Sequence, residues 1–341
     1  MSKSAALAIC TTALGDTLLC TPAISALGAV YKLDVLVHQH RRPLLWHNPA
    51  VANILPYRNN AFVRSWLALR LLGKRYDVVT VLHANSDIKK LLPFLRYGKV
   101  GNIQSWEDAG LKLSALRFNS NMHVVDQRLR LAEWAGAPPV GTHMKLYLTD
   151  QEKAWAEDWL IQRGLGPGKP RVALCPGAAN SYKIWPAESF GALARHLAGQ
   201  GIISLVLGSG SERPLAEKVR AASNAPLIDA MGLSLRQASA LVACMDLMVS
   251  NDTGPMHIAQ AMATPVLALF GSTSPDYIGP RNPWDRVVRA PLICEPCITK
   301  RCLDPGCMQS IRVDEVIAAA EAMLAAPKLD TKLKPGLEPG P

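Results

Sequence analysis

The stretch from Val249 to Phe270, VSNDTGPMHIAQAMATPVLALF, constrains the fold of this chain more than any other. It reads as the end of a buried strand, a tight polar turn, a short helix and a second buried strand. Leu247-Met248-Val249 brings the chain to Ser250-Asn251-Asp252-Thr253-Gly254, where Asp252 or Thr253 is placed to cap the helix. Pro255 suits the first turn, where no backbone donor is lost. Met256, Ile258, Ala259 and Met262 give the helix an apolar side, and Thr264-Pro265 ends it. A strand that runs into a helix through small polar residues aims backbone N–H groups and the positive dipole end at one point, which suits an anion. His257 lies one turn in, close enough to share whatever the turn holds. The plainer alternative is an ordinary strand-to-helix turn with a capping aspartate.

The same alternation runs through the chain. Leu7–Cys10 is a short buried strand leading through Gly15-Asp16 into a helix that extends to about Tyr31. A strand at Leu33–Val37, a helix near Phe62–Leu72, a strand at Asp77–Leu82 and helices near Asp87–Arg96 and His123–Ala135 follow. Gly136 to Gly141, with two prolines, reads as a linker. After a helix near Gln151–Arg163 the alternation restarts, with strands at Arg171–Cys175, Ile203–Leu207, Leu247–Ser250 and Val266–Phe270. Helices near Ala187–Leu197, Glu212–Ala222, Leu235–Cys244 and Met256–Ala263 separate or follow them. Val313–Ala326 is a last amphipathic helix, and 328–341 reads as a disordered tail. Repeated β-α alternation means parallel sheets covered on both faces. A chain of 341 residues is too long for one ordinary core. The expectation is two open α/β halves, 1–150 and 151–327, with a cleft between them.

Charge is unevenly spread. Residues 1–150 hold 18 of the 37 Lys and Arg against 9 of the 27 Asp and Glu, whereas the remainder is close to balance. A basic first half suits nucleic acid, an anionic membrane surface or a phosphorylated substrate, or is simply a solvated face. No uninterrupted apolar run reaches the ~20 residues of a transmembrane helix. The N-terminal apolar stretch, broken by Thr11, Thr12, Gly15 and Asp16, works better as strand, loop and helix than as a signal peptide, so the cytoplasm is the expected compartment. Cys294, Cys297, Cys302 and Cys307 fall within fourteen residues. At that spacing four thiolates suit a closed tetrahedral site for zinc or iron, structural because it leaves no open position.

Glycine-containing turns at Gly15-Asp16, Pro176 to Ser181 and Asn251 to Gly254, with a fourth at Gly208 to Glu212, are expected at the C-terminal edges of the sheets, where doubly wound folds bind ligands. None is a dinucleotide or P-loop fingerprint. Asp16, at a helix start, is either a cap or a carboxylate able to accept a proton from a sugar hydroxyl. Lys183 is either a surface lysine or a partner for a phosphate. Glu212 is placed to meet ribose hydroxyls or to complement the dipole of its own helix.

Together these features resemble glycosyltransferase family 9, the lipopolysaccharide heptosyltransferases. The resemblance rests on Gly15-Asp16 with Thr21-Pro22-Ala23, on Cys175-Pro176-Gly177-Ala178 leading to Lys183 and Trp185-Pro186, and above all on Ser250 through His257 followed by Leu269 through Pro275. It implies a GT-B fold, no organic cofactor, and an inverting transferase using ADP-L-glycero-D-manno-heptose. Asp16 is then the general base. Lys183, Asp252, Thr253 and Gly254 hold the diphosphate with His257 close by, and Gly177, Asn180 and Ser181 belong to the same donor site. Ala178 and Ala179 depart from relatives that carry hydroxyl residues there. Glu212 faces the ribose, and Met231 and Leu233 line the adenine pocket. Gly15 and the basic residues of the first half, among them Arg41, Arg42, Arg117 and Arg128, face an acidic glycolipid acceptor in transient contact with the inner leaflet of the cytoplasmic membrane. No nucleic acid partner is implied. Transfer to protein hydroxyls, a basic nucleic-acid-binding module and a sugar-nucleotide epimerase of the same architecture are the alternatives.

Overall fold

The computed structural model describes residues 3–71, 73–103, 114–115, 122–291, 294, 302 and 305–327. It divides into two compact units, Met1–Tyr147 and a second beginning at Leu148. The first unit contains, in chain order, β1 (Ala5–Cys10), α1 (Leu14–Leu19), α2 (Thr21–Val30), β2 (Lys32–His38), β3 (Asn53–Tyr57), α3 (Ala61–Leu71), β4 (Arg75–His83), β5 (Arg96–Asn102), β6 (Ser114–Ala115) and α4 (Val124–Ala135). The second contains α5 (Asp150–Ile161), β7 (Val172–Cys175), α6 (Ala187–Gly199), β8 (Ser204–Gly208), α7 (Arg213–Ser223), β9 (Leu227–Met231), α8 (Leu235–Ala243), β10 (Leu247–Asn251), α9 (Gly254–Ala261), β11 (Val266–Phe270), α10 (Pro275–Ile278), β12 (Arg286–Arg289), α11 (Gly306–Gln309) and α12 (Val313–Ala325).

Among the described residues each unit has one six-stranded parallel sheet, in the orders β3-β2-β1-β4-β5-β6 and β12-β11-β10-β7-β8-β9. Both are doubly wound with the strand direction of travel reversing once. In the first sheet the reversal lies between β1 and β4, and in the second between β7 and β10. Ligands of such folds collect outside the C-terminal ends of those strands. The central strands are apolar because helices cover both faces: β1, β7, β10 and β11 are almost wholly buried. No helix among the described residues is long and apolar enough to cross a membrane.

Three differences from the sequence reading have local causes. The helix expected from Asp16 to Tyr31 is two helices. Pro22 sits in the first turn of α2 and has no N–H for a continuous ladder, while Thr21 Oγ1 donates to the Leu18 carbonyl at 2.6 Å. The segment 87–96 forms two 3-10 turns, Ser86–Lys90 and Leu92–Phe94, and then β5; Pro93 again prevents a continuous helix. Finally β3, β9 and β12 are strands that the sequence pattern did not announce, since their solvent-facing residues break the apolar run.

One irregularity matters for the site. Where β1 runs beside β4, Ile9 pairs with Val81 but Cys10 pairs with His83, so Leu82 is an extra residue in β4. Such a bulge re-aims the side chains beyond it.

Candidate active site

In the first unit, the loop after β1 and the last residue of β4 meet at the point where the strand order reverses. Asp16 lies in the first turn of α1; the residue that caps this helix is Ala13, which makes no side-chain bond. Asp16 is therefore not the cap, and its carboxylate serves other partners. Oδ1 is 3.2 Å from Nη2 of Arg128, which α4 delivers from the far side of the chain. Oδ2 accepts from Thr12 Oγ1 at 3.1 Å and lies 3.6 Å from His83 Nδ1. Thr12 Oγ1 and His83 Nδ1 are 2.6 Å apart. Arg128 is only 2% exposed, so it is a buried counter-ion and not part of a solvated basic face, whereas the Asp16 side chain keeps 21% of its surface.

Burial pushes the Asp16 carboxyl up, but His83, Arg128 and the hydrogen bonds from Thr12 and Arg128 outweigh it and hold the pKa below the ordinary aspartate value. Burial, with Arg128 in support, holds the His83 imidazole below its ordinary value in spite of Asp16. At neutral pH Arg128 is thus the standing cation and His83 is neutral.

The corresponding point in the second unit is the loop after β7 beside the end of β10. Asn251, fully buried, ties the two together: its Nδ2 donates to the Pro176 carbonyl at 2.8 Å, and its Oδ1 accepts from the Trp185 N–H at 3.2 Å. Trp185 is itself buried, its Nε1 donating to the Ile311 carbonyl at 3.0 Å and its ring edge-on to Phe190. This clamp places Lys183 against Asp252, with Nζ 2.5 Å from Oδ2, and Thr273 Oγ1 donates to the same oxygen at 2.6 Å. Thr253 occupies the cap position of α9 but makes no side-chain bond there. Neither Asp252 nor Thr253 caps the helix, because the Asp252 carboxylate is drawn to Lys183 and Thr273. The amide end of α9 is left to other partners.

Behind this turn, the edge formed by β7, β8 and β9 gathers Glu212, Gly177 and Met231. A Cβ at Gly177 would stand 1.9 Å from Glu212 Oε1, so only glycine lets the carboxylate lie on the loop. A Cβ at Gly208 would meet Met231 Cε at 2.9 Å. Glu212 Oε2 accepts from the backbone N–H and Oγ of Ser209, at 2.7 and 2.6 Å, closing a capping box. Met231 and Leu233 line a cavity of about 540 Å³ together with Trp159, Arg163, Arg213 and Asp229.

Comparison with known proteins decides the family. Residues 67–307 match the family described as Glycosyltransferase family 9 (heptosyltransferase). The chain belongs to glycosyltransferase family 9. It is 30% identical over 278 residues to lipooligosaccharide heptosyltransferase 2 of Haemophilus influenzae, covering 75% of this chain and 79% of that one. It is 28% identical over 308 residues to lipopolysaccharide heptosyltransferase 2 of Escherichia coli K12, covering 81% and 85%. Among solved structures it is similar to the family 9 glycosyl transferase of Veillonella parvula, with a TM-score of 0.85 at 20% identity over 95% of this chain and 98% of that one. The E. coli ADP-heptose LPS heptosyltransferase II gives 0.77 at 24% identity with the same coverage. At these identities the structural likeness speaks for the fold, two parallel-sheet α/β domains of the GT-B class.

Within this family 9 glycosyltransferase, the expected residues fall in different surroundings. Lys183, Asp252, Thr253 and Gly254 are together, as are Gly177, Glu212 and Met231. His257 is 2% exposed inside α9, with Nδ1 3.1 Å from Gln260 Nε2. Asn180 and Ser181 are exposed at the start of the 3-10 turn Ser181–Lys183. Gly15 is buried in α1. Arg41 and Arg42 lie in the 3-10 segment Gln39–Leu45 after β2, at the same sheet edge as Asp16, each with a buried Nε that has no hydrogen-bond partner among the described residues. Arg117 and Cys297 lie outside the described residues. Among the described residues no three His, Cys, Asp or Glu side chains are grouped to hold a metal, and Cys307 packs against the core of its unit. Sequence reading missed Thr12, His83, Asn251 and Thr273 as partners; only Asn251 and Thr273, inside the two glycine-bearing motifs, carried a signal that could have found them.

Proposed function

We propose that this enzyme transfers a heptose from an ADP-linked donor to a hydroxyl of an acidic inner-core lipopolysaccharide acceptor, with inversion at the sugar carbon. The observation that carries the reading is Asp16: a partly exposed carboxylate at a sheet switch point, its pKa held down by His83, the buried Arg128 and Thr12. In a single displacement the acceptor O–H gives its proton to the free face of the Asp16 carboxylate as its oxygen bonds to the anomeric carbon. The bond from that carbon to the diphosphate breaks, and ADP leaves with the electron pair. Arg128 holds Oδ1, so the base is aimed and needs no reorganisation during the step.

Lys183 and the uncapped amide end of α9 are suited to the charge that grows on the departing diphosphate. Lys183 already rests on Asp252, so a phosphate must compete for the ammonium or share it, and Asp252 keeps the lysine placed when the donor is absent. Glu212 meets the ribose, and the cavity bearing Met231 and Leu233 takes the adenine. The names of the relatives, heptosyltransferases of the lipopolysaccharide core, support the sugar and the acceptor class. Four thiols within fourteen residues support a structural zinc or iron at Cys294, Cys297, Cys302 and Cys307, which metal analysis of the purified protein would test.

The deciding experiment incubates the protein with ADP-heptose and delipidated core acceptors and resolves products by mass. Addition of one heptose residue with release of ADP is expected. Transfer to protein hydroxyls alone, or turnover of donor without acceptor, would replace this reading with one of its alternatives.

A further inference from the structure

Helix α3 is apolar on two opposite sides. Leu67 and Leu71 are fully buried in the core of the first unit, with Val63 and Ala68 packed against it. On the outer side Phe62, Trp66 and Leu69 are 79%, 40% and 69% exposed. Their i, i+4, i+7 spacing sets three large apolar side chains in one solvent-facing stripe. The turns Ser86–Lys90 and Leu92–Phe94 cover the same core cluster through Ile88, Leu91 and Leu92, and they leave Phe94 56% exposed. A helix that buries one side in its own core gains nothing from a second apolar side in water. Such a patch marks a surface that meets something apolar.

The charges indicate what that is. From Arg58 to Arg75 the chain carries Arg58, Arg64, Arg70, Lys74 and Arg75 and no Asp or Glu. Arg70 stacks over the Trp66 ring at 5.0 Å, Arg64 donates to Asn59 Oδ1 at 2.8 Å, and Lys74 pairs with the buried Asp34 at 2.9 Å. Arg58, Arg70 and Arg75 remain exposed. A second copy docked about a two-fold axis would set these cations against themselves. An anionic bilayer accommodates both features, since aromatic and aliphatic side chains enter the acyl boundary while guanidinium groups stay among the phosphates. We propose that α3 lies flat on an anionic membrane surface and docks the protein there through Phe62, Trp66 and Leu69. Its use, presenting the enzyme to a lipid-linked acceptor, rests on the transferase reading; the docking itself rests on α3.

The test sediments the full-length protein with phosphatidylcholine vesicles, with and without phosphatidylglycerol at roughly 3:1. Binding to the anionic vesicles is expected, weakened by added salt, and reduced at least about tenfold in the triple variant Phe62→Ser, Trp66→Ser, Leu69→Ser. The same variant should melt as the parent does and transfer sugar to a delipidated acceptor at the parent rate. Three results would overturn docking: a parent protein that stays in the supernatant, a triple variant that sediments equally well, or a dimer that the triple substitution abolishes. If vesicle binding behaves as expected while neither protein acts on a soluble acceptor, the transferase reading falls and the docking surface stands.

Discussion

The two sheet switch points solve opposite problems with the same residue type. In the first unit the aspartate comes from the first turn of the helix after the leading strand, stays partly open to solvent, and leans on a cation that is buried. In the second the aspartate follows the fourth strand, is itself buried, and carries the ammonium of the more exposed Lys183. In each pair one member is buried and the other keeps some exposure. The first unit therefore offers a carboxylate and the second an ammonium, as the proposed transfer requires of a proton acceptor and a phosphate clamp.

The comparison can be broken at either end. The largest effect is expected from Asp16→Asn, which keeps the shape but cannot take a proton. Turnover should fall by about 10²–10⁴ with donor affinity by calorimetry unchanged. A loss of less than tenfold would remove Asp16 from the role of base. Next, Lys183→Met should lower kcat/KM by about 10² and weaken ADP binding as well, so that the two substitutions separate chemistry from donor holding. Asn251→Ala tests the clamp rather than the chemistry. It leaves the Trp185 N–H and the Pro176 carbonyl unpaired in the interior, and urea titration should show about 1–3 kcal/mol of lost stability. The smallest effect at neutral pH is expected from Arg128→Met. A base must be ionised to act, and in the parent Asp16 stays ionised below the usual aspartate range. His83 and Thr12 remain, but removing the guanidinium takes away part of what lowers the pKa, so the pKa rises and the acid limb of the pH–rate profile should move to higher pH. An unmoved limb would show that Arg128 has no hold on the base.

Much of this was legible along the chain, for reasons that differ between elements. The buried strands β1 and β11 are continuous apolar runs and β10 opens on one, and the turns after β1, β7, β8 and β10 carry the small and polar residues that ligand-binding loops need. Asp16, Lys183, Asp252 and Glu212 stand within those motifs and could be picked out from them. Their partners could not. Arg128 arrives from 112 residues away and looked like one more surface cation in a basic half. His83 ends a strand with no motif around it. At both sites the capping role that the sequence allows is not taken up, for a related reason. From sequence an acidic residue at a helix start looks like a cap, yet at Asp16 and Asp252 the stronger pull of a facing cation, supplied by a distant segment, takes the carboxylate away. Prolines within apolar stretches, at Pro22 and Pro93, marked breaks that the periodicity alone carried straight through.

The extra residue in β4 decides which way the end of that strand faces. Leu82 has no partner on β1, and everything after it is displaced by one position from simple counting. A regular pairing across that strand would set Leu82, not the histidine, opposite Cys10. His83 would then fall one position further on, on the other face of the sheet; the extra residue is what keeps the imidazole on the side of the carboxylate.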